Sequence, residues 1–144
     1  MTEHDLHQFM AQSKLAVLST TGDDGRPQSA LVGVAVTAKL ELIFDTLKSS
    51  RKYPNLIARP ACSFVIGWEG AQTIQYEGEA EELQPPDLEI CQEAYFKVWT
   101  DGPSRLSWPG IVYFRVRPHW VRFSDFGENP PNIVTFRFPP SQSN

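Results

Sequence analysis

Apolar and polar positions along the chain divide it into short segments of two kinds. Residues 15–20, 27–36, 40–44, 62–68, 73–83, 111–116 and 120–126 are brief apolar or alternating runs of strand type. In the sixth, Val112, Phe114 and Val116 point one way and Tyr113, Arg115 and Arg117 the other. In the seventh, Trp120, Arg122 and Ser124 share one face, and Val121, Phe123 and Asp125 share the other. Three segments have helical spacing instead. Thr2 is placed to cap a helix that carries Leu6, Phe9 and Met10 on one face. Residues 51–58 form a second helix, with Pro54 tolerated in its first turn and Arg59-Pro60 ending it. Pro85-Pro86-Asp87 opens a third through Leu88, Cys91, Tyr95 and Val98.

Turn chemistry supports these divisions. The Asp24-Gly25 pair supplies the backbone freedom of a tight hairpin between the first two strands, and a second turn is expected near Lys39. Residues 100–109 are polar and turn-rich, Pro118 is expected to interrupt a strand, and residues 127–144 read as an irregular tail. So many short strands with a few helices predict a mainly β protein, a β-barrel with flanking helices, formed by residues 1–126. The 144 residues fit one domain of the usual ~100–200 residues.

The junction after the third strand concentrates candidate chemistry. Phe44-Asp45-Thr46-Leu47-Lys48-Ser49-Ser50-Arg51-Lys52 joins an apolar run to a helix start. Ser49 or Ser50 is positioned to cap that helix, where free backbone N–H groups favour an anion. Arg51 offers a bidentate grip, Lys52 and Lys48 add point charges, and Thr46 adds a hydroxyl. Two readings stand side by side: a phosphate cradle, and an exposed helix start whose charges meet only water.

Phe44-x-Thr46, Ser50-Arg51-Lys52, Asn55-Leu56 and Arg59-Pro60 together closely resemble the flavin-binding segment of the pyridoxamine 5'-phosphate oxidase-like split barrels. The likeness covers residues 5–126: residues 15–20 match the first strand of that family, 25–29 the entry to the second, and 78–83 the close of a later one. The resemblance implies a six-stranded antiparallel FMN-binding split barrel, a homodimer with each flavin in a groove at the subunit interface. It places the FMN phosphate on Thr46, Ser49, Ser50, Arg51 and Lys52. It puts Ala30, Leu31, Val32 and Gly33 along the flavin, with Ala30 where the oxidase has a basic residue. Asp45 and Thr46 fall beside the ring and ribityl chain, and Thr73 or Gln75 stands in for a family glutamine. Trp120 and Arg122 line the groove, from the partner subunit, or serve as an interface anchor; Trp108 reads as core packing.

Departures narrow the implied reaction. Nothing after Asp125 matches the Arg-Leu-His-Asp-Arg type motif that binds pyridoxal phosphate in the oxidase, which argues against pyridoxine 5'-phosphate oxidation. What the resemblance leaves is an oxidoreductase passing hydride or electrons between reduced nicotinamide, NAD(P)H, and a small organic acceptor. The alternatives are a non-catalytic flavin-binding module, stress-related or sensory, and a relative that holds haem or a deazaflavin in the same groove. No catalytic side chain is assigned.

Composition restricts the partners. A net charge of −4 and a pI near 5.3 disfavour nucleic acid and anionic membrane, both of which reward a basic face. No apolar run is long enough to cross a bilayer, and the first residues lack the pattern of a signal peptide, so a cytoplasmic location is the expectation. Cys62 and Cys91 show neither metal-ligand spacing nor a redox pair and read as small buried hydrophobes. His4, His7 and His119 read as surface residues, and no metal site is expected.

Overall fold

The computed structural model describes residues 1–140. Helix α1 (Glu3–Ala11) starts at Thr2, whose hydroxyl accepts from the Asp5 N–H while the Asp5 carboxylate accepts from the Thr2 N–H. That reciprocal box satisfies two of the free donors at the helix start. Strands β1 (Leu15–Thr21) and β2 (Pro27–Gly33) form the expected hairpin, and β3 (Ala35–Val36), β4 (Leu42–Leu47), α2 (Lys52–Ala58), β5 (Ala61–Ile66) and β6 (Gln72–Glu82) follow. Helix α3 (Asp87–Val98), a single 3-10 turn (Gly102–Arg105), β7 (Ile111–Asp125) and β8 (Asn132–Arg137) complete the described chain.

All ladders are antiparallel, in the order β2-β1-β5-β6-β7-β4-β3, with β8 also paired to β7. The two ends of that path, β2 and β3, are consecutive in the chain. At Val34, whose N–H donates to the Lys14 carbonyl, the backbone leaves β1 and crosses to β4, which brings the sheet round into a barrel. The expected strand over 27–36 is therefore two strands. Eight strands replace the expected six, because β3 separates from β2 and β8 adds to β7.

Pro118 does not end its strand. Glu77 pairs with Trp120 and Gly78 with Pro118, so His119 is an extra residue and β7 bulges there. A Cβ on Gly78 would collide with the Arg117 carbonyl, so only glycine lets the strands pass this close. The bulge shifts the inward set from Val112, Phe114 and Val116 to Val121 and Phe123. It thereby turns Trp120 and Arg122 outward. The tail also differs from expectation, since Asn132–Arg137 pairs along the outer half of β7; residues 141–144 lie outside the described residues.

Two apolar cores result. The barrel interior packs Leu18, Phe44, Phe64, Tyr76 and Phe114, with Phe44 stacked on Phe114 at 5.3 Å. A second core joins α3 to the outer face of β3, β4 and β7 through Ile43, Leu83, Cys91, Tyr95 and Tyr113. Because successive residues of a strand face opposite ways, β4 sends Phe44 and Thr46 towards the barrel core and Ile43 and Asp45 towards α3. No helix among the described residues is long and apolar enough to cross a membrane.

Candidate functional site

Helix α2 is fixed against the β1–β2 hairpin by its polar side chains. The buried Asn55 amide donates to Thr20 Oγ1 at 3.0 Å and Gln28 Oε1 at 2.9 Å, and Arg59 Nε donates to the Thr21 carbonyl at 2.8 Å. Tyr53 donates to Glu82 Oε1 at 2.6 Å on the other side. These bonds set the first turn of α2 over β2, and a cavity of about 200 Å³ opens there. Leu18, Thr20, Gln28, Ser29, Ala30, Arg51 and Lys52 line it.

The cavity is electrostatically incomplete. Among the described residues no carboxylate lies within 4.0 Å of Arg51 or Lys52, although most other arginines of the chain are paired. Burial pulls the Lys52 pKa below its ordinary value. A partly desolvated ammonium with no counter-ion is a site that an anion would stabilise. Thr46 and Ser50 stand behind it, the Thr46 hydroxyl donating to Ser50 Oγ at 3.0 Å.

Other expected members are placed differently. Neither Ser49 nor Ser50 caps α2; Arg51 holds the capping position without a side-chain bond, because the Ser50 hydroxyl is engaged by Thr46. Lys48 does not join the cradle and lines a separate cavity beside Tyr113 and Leu88. On β2, Ala30 and Val32 face inward, whereas Leu31 and Gly33 lie on the opposite face. Gly33 is covered by Trp99, whose ring atoms would lie 2.6 and 2.8 Å from a Cβ placed there, and whose indole N–H donates to the Val34 carbonyl at 3.0 Å.

Asp45 belongs to a closed network under α3. Arg105 Nε donates to Asp45 Oδ2 at 2.8 Å, the Tyr95 hydroxyl donates to Asp45 Oδ1 at 3.2 Å, and Arg105 Nη1 also meets Asp101 at 2.9 Å. Burial alone would lower the Arg105 pKa, but the hydrogen bond to Asp45 and its charge outweigh burial and raise it. The Tyr95 pKa is raised by burial and then by the Asp45 charge. Here every charge has a partner. Trp108, read as core, is half exposed. Cys62 and Cys91 are buried, and burial pushes the Cys62 thiol up to about 12.

Gln75, Arg122 and Thr135 are register partners across β6, β7 and β8, on the outer face of the sheet. Thr73 sits one step along, opposite Ser124. The Arg122 guanidinium lies 4.9 Å from the Trp120 ring centroid, and its Nε donates to Thr135 Oγ1 at 3.1 Å. On the cradle side Thr46 pairs with Val112, ten residues along β7 from Arg122, and neither Trp120 nor Arg122 lines the cradle cavity. Within one chain this group and the cradle are therefore separate.

The sequence of residues 2–125 matches the family model described as pyridoxamine 5'-phosphate oxidase. The chain belongs to the pyridoxamine 5'-phosphate oxidase family. Among solved structures its fold is similar to a heme binding protein from Mycobacterium smegmatis, at 14% identity and a TM-score of 0.80; 95% of this chain is covered but only 58% of that one. It is also similar to a pyridoxamine 5'-phosphate oxidase-related, FMN binding protein from Nostoc punctiforme, at 14% identity and a TM-score of 0.70, covering 98% and 89% of the two chains. General Stress Protein 26 from Bacillus anthracis gives 19% identity and a TM-score of 0.70 over 93% of this chain and 98% of that one. No curated protein matches. The chain spans little more than half the length of the mycobacterial protein. Such identities carry the oxidase-family fold and leave the ligand to the residues.

Gln28 and Thr20 line the candidate cavity although neither stood out in the sequence. Period-two alternation from Ala30 puts Gln28 on the cavity face, and the hairpin register puts Thr20 opposite it. Asn55 stood out within the family-like segment, but its bond to Thr20, 35 residues away, had no local signal.

Proposed function

We propose that this chain binds FMN by its phosphate and acts as an FMN-dependent oxidoreductase between a reduced nicotinamide and a small organic acceptor. The observation that carries the reading is the pair Arg51 and Lys52, without counter-ions, at a cavity beside Ala30. At about 200 Å³ it is smaller than the ~300–1,000 Å³ of sites that enclose drug-sized ligands, so it suits a phosphate group with the rest of the molecule outside. Arg51 and Lys52 would hold the phosphate charge, and Thr46, Ser29 and Ser50 offer hydroxyls nearby. FMN, when bound, supplies the hydride and electron chemistry, while the protein positions it and sets its polarity.

The outer-face group gives the reading its second half. Trp120 and Arg122 line no part of the cradle cavity of their own chain, so we place them against the flavin bound by the other copy in a homodimer, as the partner's Trp120 and the partner's Arg122. The exposed Leu15, Leu31 and Val65 continue the same face and supply apolar area for such a contact.

Titrating the protein with FMN while following the visible spectrum tests the first half. Saturable binding that disappears in the Arg51→Ala/Lys52→Ala variant is expected; equal affinity in both proteins sinks the cradle. Anaerobic addition of NADH or NADPH tests the second. Bleaching followed by recovery with an acceptor is expected of an enzyme, whereas a protein that holds FMN without bleaching is a flavin-binding module.

A further inference from the structure

A second cavity, about 410 Å³, opens between the end of β6, α3, the turn before β7 and the start of the β4–α2 loop. It shares no residue with the cradle. Its walls are apolar where Leu83, Leu88, Leu106 and Ile111 meet. Its polar groups are unusual. Tyr113 is only 3% exposed, and its hydroxyl is the one buried side-chain polar atom among the described residues with no hydrogen-bond partner. Gln92 lies close enough to influence that hydroxyl but makes no bond of proper geometry with it.

A buried hydroxyl left unpaired is costly, and native structures that keep one usually have a reason at the site. A solvent-facing turn or a core contact would have been served as well by phenylalanine. The second polar feature is Lys48, which has no carboxylate within 4.0 Å among the described residues. Glu82, on the same rim, is already engaged by the Tyr53 hydroxyl at 2.6 Å and by Gln84 at 3.4 Å. The cavity thus offers one free cation and an apolar wall, and it is lined by Tyr113, whose enclosed hydroxyl is unpaired.

We propose that this cavity is a second small-molecule site, which takes a compact monocarboxylic acid. The carboxylate accepts from the Lys48 ammonium and the Tyr113 hydroxyl, with Gln92 turning aside, and the apolar body lies on Leu83, Leu88 and Ile111. Neither phosphate nor a flavin is called for, and the site stands whether or not the cradle holds FMN.

Fluorine NMR of 4-fluorobenzoate with the full chain, before and after FMN is added, tests this directly. Line broadening that saturates is expected with wild type. The neutral 4-fluorobenzamide should bind at least fivefold more weakly, and so should 4-fluorobenzoate to Lys48→Gln and to Tyr113→Phe. Tyr113→Phe should keep or raise the melting temperature, because it removes an unpaired hydroxyl and nothing else. Absence of benzoate binding by wild type, equal binding of the amide, or a variant that binds as tightly as wild type each overturns the site. A wild type that binds benzoate and ignores FMN would instead remove the cofactor reading and leave this one standing.

Discussion

Strand β4 serves two regions that treat charge in opposite ways. Towards α3, Asp45 is enclosed by Arg105 and Tyr95, with only 14% and 15% of the Asp45 and Arg105 side chains exposed. Four and five residues beyond the end of β4, Arg51 and Lys52 are left without a carboxylate, and Lys52 is partly desolvated. The first arrangement is complete by itself and needs nothing from outside. The second gains only when an anion arrives. Self-sufficiency marks the cap as structural, and its lack makes the cradle the candidate binding site, although Asp45 and Thr46 are neighbours in sequence.

The most damaging way to test that contrast is at the closed network. Arg105→Ala leaves Asp45 without its cation, and we expect a loss of about 3 kcal/mol, the lower end of the range for breaking a buried pair because some exposure remains. Chemical denaturation measures it. Asp45→Asn with Arg105→Met should recover most of the loss. A single variant as stable as wild type would show that the ion pair does not hold the cap.

The open region should respond in affinity and not in stability. Arg51→Ala with Lys52→Ala is expected to weaken FMN binding about 100-fold, roughly 3 kcal/mol from two charge-assisted contacts at about 1.5 kcal/mol each. Isothermal titration gives the change, and the denaturation midpoint should hold or rise slightly, since a desolvated unpaired lysine is removed. Gly33→Ala returns to the cap. Its new methyl group meets the Trp99 ring, and overpacking should cost about 2 kcal/mol with a shift in tryptophan emission.

What the sequence disclosed follows the range of the interactions. Period-two alternation in residues 111–116 and the Asp24-Gly25 turn are local, and the strands and hairpin appear as expected. The Ser50-Arg51-Lys52 run is local too, and Arg51 and Lys52 do line one cavity. Arg105 pairs with a carboxylate 60 residues away and sits in a stretch with no periodicity, which hid the cap. Pro118 looked like a strand end because its effect depends on Gly78 across the ladder. β8 was missed because proline-rich flanks mask six residues whose pairing is supplied entirely by β7.

The pH dependence of FMN binding sharpens the contrast further, with an expected effect of about tenfold. Burial lowers the Lys52 pKa in the free protein, and a bound phosphate would favour the charged ammonium and raise it again. Affinity is therefore complete below the free-protein pKa of Lys52 and is lost as pH rises through it. On the acid side, affinity falls as the phosphate gains a proton near pH ~6. Lys52→Arg should abolish the alkaline limb and leave the acid one. An alkaline limb that survives in Lys52→Arg would place the titration elsewhere.

The smallest effect concerns how Arg122 is held. Its Nε donates to Thr135 on β8, a strand beyond the 2–125 segment that defines the family match, and the guanidinium then lies over Trp120. Thr135→Val keeps the shape and β-branching but removes the acceptor, so the strand should form and Arg122 should lose its orientation. If the partner's Arg122 meets the flavin, FMN affinity drops about threefold, with a changed circular dichroism of the bound flavin. Thr135→Ser restores the acceptor and should restore both. A structural role alone would lower stability in the valine variant and leave the flavin spectrum unmoved. That outcome would assign the Trp120–Arg122 pair to the interface and would confine FMN recognition to the cradle.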